Sequence, residues 1–176
     1  YLDDELVYII DNSDSTVVFF DAEFLAEVER VRSRLPRVIA WVQIGGDTVA
    51  PFAHGYEAMA TEGDPSPIKG DRSGNDIFLL YTGGTTGLPK GVMWTHNIWR
   101  EASMEGVRKL GGPVPETMEE HVQNAVTVGR FSRQLPACPL MHGTGWFTAM
   151  GAMLNGGAVV TLSEKAKFSP ENLWDT

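Results

Sequence analysis

With 176 residues, 43% of them hydrophobic and 21% charged, the chain has the make-up of a soluble globular domain able to bury about 70% of its unfolded surface. Its net charge of −9 argues against nucleic acid, or an anionic membrane surface, as a partner. No apolar run approaches the ~20 residues that span a bilayer and no secretory leader opens the chain, while a single cysteine excludes an internal disulfide; a cytoplasmic protein without a transmembrane segment is expected.

In chain order, Asp3 to Asn12 reads as a short amphipathic helix, closed by the turn cluster Asp11-Asn12-Ser13-Asp14. Ser15 to Phe20 is a β-branched and aromatic run, hence a strand. Asp21 can cap a helix whose apolar positions Phe24, Leu25, Val28, Val31 and Leu35 follow three-to-four spacing until Pro36 stops it. Arg37 to Ile44 is a second buried strand. Helix, strand, helix, strand predicts parallel β with crossover helices, so the expected fold class is α/β in layers.

Residues 45–75 read as loop, with a short helix from about Phe52 to Thr61. Ile77 to Tyr81 is an apolar strand and Val92 to Thr95 is extended as well. Thr95 can cap a long helix carrying Ile98, Trp99, Ala102, Val107 and Leu110. Pro115 to about Val128 predicts an acidic helix with Met118, Val122, Ala125 and Val126 on its inner side. Gln134 to Leu140 is expected as a short strand with prolines near both ends, and Cys138 within it as a core thiol. A helix bearing Trp146, Phe147, Met150, Met153 and Leu154 follows, then a strand over Ala158–Leu162. His54, His96 and His121 show no metal-ligand spacing and read as surface or structural residues.

The chemistry concentrates between the strands at 77–81 and 92–95, in Tyr81-Thr82-Gly83-Gly84-Thr85-Thr86-Gly87-Leu88-Pro89-Lys90-Gly91-Val92. A loop so rich in glycine can turn its backbone N–H groups around an anion, because no Cβ blocks the approach. Threonine hydroxyls add neutral donors and Lys90 adds a positive charge. Pro89 before Lys90 and Gly91 after it exclude the Walker pattern, and no G-x-G-x-x-G opens a helix here. The string instead resembles the phosphate-binding signature of the adenylate-forming superfamily, which includes acyl-CoA synthetases. All its specified positions match except Gly83, where serine is commoner.

Pro139-Leu140-Met141-His142-Gly143-Thr144-Gly145-Trp146 is the second stretch, an imidazole followed by a glycine-rich turn into a helix. Strand ends of open α/β sheets are where ligands bind. The string resembles a second signature of the same superfamily, in which this histidine lies near the adenylate and the carboxylate substrate. Trp146 also suits an ordinary core stripe with Phe147, Met150 and Leu154.

The resemblance covers nearly the whole chain and implies the interior of the large N-terminal AMP-binding domain of an acyl-CoA synthetase, a single fragment over residues 1–176. It implies ATP, magnesium and coenzyme A as cofactors or co-substrates and a carboxylic, fatty acid as substrate. Thr82, Gly83, Gly84, Thr85, Thr86, Gly87 and Lys90 would cradle the phosphates, with Thr82 also beside the magnesium. Lys90 and His142 would act in the chemistry, and His142, Gly143 and Trp146 would bind the substrate, His142 near the adenylate and Trp146 on the acyl side. The superfamily's later glutamate, aspartate and mobile-domain lysine motifs do not occur in these residues. The chain starts inside a helical pattern and stops two turns into a helix announced by Ser169-Pro170-Glu171, which reads as a piece of a longer protein. It is therefore expected to be inactive alone and to self-associate through faces that pack on absent segments. Two alternatives stay open: a stand-alone phosphate-binding module, and an adenylation domain that loads a carrier protein.

Overall fold

Apolar residues at helical spacing alternate with β-branched runs through the first 62 residues, and the structure turns them into a small parallel layer. In this computed structural model residues 1–67, 69–83, 87–109, 111–127, 132–162 and 169–174 are described. Helix α1 (Asp3–Asn12) precedes β1 (Val17–Asp21), α2 (Leu25–Val31) and β2 (Ala40–Ile44). A two-residue strand, β3 (His54–Gly55), leads directly into α3 (Tyr56–Glu62). The sheet order is β1-β2-β3, with parallel pairing throughout, Val17 opposite Ala40 and Val42 opposite His54. The expected parallel β with a crossover helix is thus present, and β3 is an addition to it.

Its core is Phe20, Val28, Val31, Leu35 and Trp41, with Val7, Ile10 and Phe52 packed against them. Two details differ from the expectation. Phe24 is 51% exposed, because residues 22–24 form a tight 3₁₀ turn that swings it out of the helical stripe. Asp21 does cap, but it caps this turn, its carboxylate accepting from the Glu23 N–H at 3.1 Å. Residues 37–39 form the approach to β2 rather than part of it; the Val38 N–H donates back to Leu35, and Ile39 is 82% exposed.

Beyond a long connection, β4 (Ile77–Thr82) and β5 (Lys90–Thr95) form an antiparallel two-stranded ladder. Phe78 and Trp94 face each other across it with nearly parallel rings. The chain divides into two units, Tyr1–His96 and Asn97–Thr176, so this ladder closes the first of them.

The second unit is carried by α4 (His96–Lys109), whose inner residues Trp99 and Met104 are buried, followed by α5 (Met118–Thr127) and β6 (Arg133–Gln134). Then come α6 (Gly143–Leu154), β7 (Ala158–Val159) and α7 (Pro170–Trp174). Leu110 and Val128 lie outside the described residues.

Three expectations are corrected here. The strand over 134–140 is only Arg133–Gln134, pairing in parallel with Ala158–Val159; Pro136 and Pro139 have no N–H to extend the ladder. Cys138, on that irregular segment, is exposed rather than a core thiol. On α5 the buried residue is His121, while Met118, Val122 and Val126 are more than half exposed. A ring nitrogen of His121 lies 2.9 Å from the Leu154 carbonyl at the end of α6. That contact satisfies a helix-terminal acceptor and turns the opposite, apolar side of α5 outward.

Candidate functional site

Antiparallel pairing of β4 with β5 makes residues 83–89 the connection of a hairpin. Gly84, Thr85 and Thr86 lie outside the described residues. The pairs nearest the connection are Thr82 with Lys90 and, one step back, Tyr81 with Gly91. Residues directly opposite share a face, so the hydroxyl of Thr82 and the ammonium of Lys90 stand on the same side at the mouth of the loop. Both are exposed, and among the described residues Lys90 makes no ion pair. The Thr82 hydroxyl donates weakly to the Lys90 carbonyl at 3.4 Å.

Space surrounds the two described glycines of this connection. A Cβ built at Gly83 or Gly87 would meet nothing within 4 Å, and Gly87 has φ +105°, a backbone state that side chains disfavour. Pro89, immediately before Lys90, is buried and fixes the backbone that delivers the lysine.

The other face of the ladder is anchored. Tyr81 is half-buried, and its hydroxyl donates to Asn12 Oδ1 at 2.6 Å, at the last residue of α1. Burial first, then electrostatic repulsion from Tyr8 and Asp14, pushes the Tyr81 phenol above its ordinary range. Neither residue stands out in the sequence as a pair, since 69 positions separate them.

The second stretch lies in the other unit. His142 is the residue preceding α6, in extended conformation, with its side chain exposed. Its N–H donates to Pro139 O and its own carbonyl accepts the Trp146 N–H, both at 2.9 Å, so the turn is pinned at each end. Gly143 starts the helix. Gly145 is required by close approach: a Cβ there would lie 2.4 Å from Pro139 O and 2.5 Å from Cys138 O. Trp146 is half-buried and meets Trp99 edge to face at 6.0 Å and Phe147 at 5.3 Å. It therefore belongs to an aromatic cluster between α4 and α6, on the same turn as His142. Among the described residues no three His, Cys, Asp or Glu gather into a metal-binding group.

The family described as AMP-binding enzyme matches residues 1–176. The chain belongs to the AMP-binding enzymes. Similar members include the 3-oxocholest-4-en-26-oate–CoA ligase of Rhodococcus rhodochrous, 32% identical over 99% of this chain. The medium-chain acyl-CoA ligase Mig of Mycobacterium avium is 32% identical over 91% of it. The chain spans 31% and 30% of the length of these two AMP-binding relatives. Among solved structures, ATP-bound MatB from Rhodopseudomonas palustris superposes with TM-score 0.65 at 22% identity, covering 99% of this chain and 30% of that one. The anthranilate CoA ligase AuaEII, in complex with anthranoyl-AMP, gives 0.66 at 21% identity, over 94% and 29%. At such identities the likeness establishes the AMP-binding fold. No helix among the described residues is long and apolar enough to cross a membrane.

Proposed function

We propose that the intact protein is an ATP-dependent acyl-CoA synthetase and that this chain supplies the phosphate loop and the adenylate-side turn of its large domain. In the first half-reaction the substrate carboxylate attacks the α-phosphate of ATP, forming a mixed anhydride with AMP as pyrophosphate leaves. In the second, the thiol of coenzyme A attacks the acyl carbon and AMP departs. The observation that carries the reading is the Thr82–Lys90 pair at the mouth of the glycine loop, with open space at Gly83 and Gly87. It offers one cation and one hydroxyl to a polyphosphate, as charge neutralisation and positioning demand.

Lys90 would hold phosphate oxygens through the transfer, with Gly83, Gly84, Thr85, Thr86 and Gly87 around them. Thr82 would give magnesium a neutral oxygen, which would suit a hard cation that takes most of its ligands from phosphate and water. Magnesium there would offset charge on the triphosphate. His142 and Gly143 would face the adenylate and Trp146 the acyl group. The relatives' names point to medium- or long-chain fatty acids and a steroid side-chain acid, and the Trp99–Trp146–Phe147 cluster suits an apolar acyl chain. Coenzyme A rather than a carrier protein is proposed as acceptor on the same names.

Lys90→Ala in the intact protein is expected to slow ATP–pyrophosphate exchange about 100-fold, the cost of losing one group that stabilises developing charge. Its melting temperature should not move, since Lys90 is exposed. Undiminished exchange in this variant would overturn the cradle assignment.

A further inference from the structure

We propose that Tyr81, held by Asn12 and seated by Gly91, is the positioning residue that fixes the mouth of the glycine-rich loop, where Thr82 pairs with Lys90. The proposal rests on the phosphate reading of that loop and adds to it a residue with no place on the phosphate side.

A two-stranded ladder is marginal by itself. The hairpin of β4 and β5 shares no sheet with β1, β2 and β3, so something other than strand pairing must orient it. The pair behind the loop mouth is Tyr81 opposite Gly91. A Cβ built on Gly91 would lie 3.1 Å and 3.3 Å from carbons of the Tyr81 ring, closer than ordinary contact. Glycine there lets the ring lie across the ladder, and the ring then carries its hydroxyl to Asn12 Oδ1 at 2.6 Å. Asn12 ends α1, and Val7 and Ile10 of that helix pack on the core of the parallel layer. One hydrogen bond therefore joins the anchored layer to the base of the loop. It acts on the face opposite Thr82 and Lys90, so it orients them without occupying their space.

The test uses the intact protein and two readouts. Tyr81→Phe keeps the ring and removes the donor; Asn12→Ala removes the acceptor. Each is expected to speed amide hydrogen exchange over 77–82 and 90–95 about fivefold and to raise KM for ATP by a similar factor, with kcat little changed. The double variant should be no worse than either single one, because both remove the same bond. Gly91→Ala should act in the same direction by displacing the ring. Unchanged exchange in Tyr81→Phe, or additive effects in the double variant, would overturn the proposal. Faster exchange with an unchanged KM for ATP would overturn the positioning role, whereas the phosphate reading itself fails only if Lys90→Ala leaves ATP–pyrophosphate exchange undiminished, so the two failures are distinguishable.

Discussion

The side-chain oxygen of Gln43 accepts the backbone N–H of Ala50 at 2.9 Å. The amide nitrogen of the same side chain donates to Thr48 O at 2.8 Å and Gly45 O at 3.1 Å. Gln43 is only 2% exposed, and it follows Trp41 and Val42 near the end of β2. It does for residues 45–50 what a sheet neighbour would do, satisfying backbone groups of a loop folded against the layer.

Gln43→Leu should therefore cost about 2–3 kcal/mol, despite filling the same space, since it leaves a backbone N–H and two carbonyls without their partner. Gln43→Glu should also destabilise, by losing both donated bonds and burying a charge. Urea unfolding followed by circular dichroism measures both; a Leu variant as stable as wild type would contradict the bonding role.

Gly145→Ala is expected to push the start of α6 away from the 138–139 backbone, because neither Pro139 O nor Cys138 O is a flexible side-chain end that could swing aside. Overpacking of this kind costs about 1–3 kcal/mol. The displaced turn carries His142, so in the intact protein the KM for the carboxylic acid should rise more than the KM for ATP. Equal effects on both would count against a local displacement.

Acid should loosen α1 first. Asp3 takes a two-pronged hydrogen bond from Arg30, at 2.9 Å and 3.0 Å, and Arg34 pairs with Asp4 at 2.8 Å. The Arg30 hydrogen bond, more than the charges of Arg30 and Arg34, holds the Asp3 carboxyl below the ordinary carboxylate range. A carboxyl depressed in the folded state contributes stability above its unfolded pKa and loses it as pH falls through the folded one. The pairs are exposed, so the effect is small and weakened by salt. Asp3→Asn should flatten the acid limb of a stability–pH curve by lowering its neutral plateau slightly, with the strongly acid end unchanged.

Much of this was legible in the residues, and the failures have definite causes. α1 has the bounds expected from its turn cluster, and β1 with β2 forms the expected parallel pair, because each run is long, periodic and locally punctuated. The glycine loop was legible as a motif, since its chemistry is written in consecutive residues. Gln43 was not, because a polar residue in an apolar strand gives no sign of whether a loop will return to meet it. The outward side of α5 was misjudged for a related reason. Periodicity defines a stripe of Met118, Val122 and Val126, but the neighbour on the other side, the Leu154 carbonyl, decides which stripe is inside.

Trp99 and Trp146 offer an optical handle on the second turn. Two indoles 6.0 Å apart at 70° are close enough to couple their excited states, and the pair sits where α4 meets the first turns of α6. The near-ultraviolet dichroism of the pair would thus change with the register of α6 against α4. On the proposed acyl-side role of Trp146, substrate binding would change that spectrum before any bond is made.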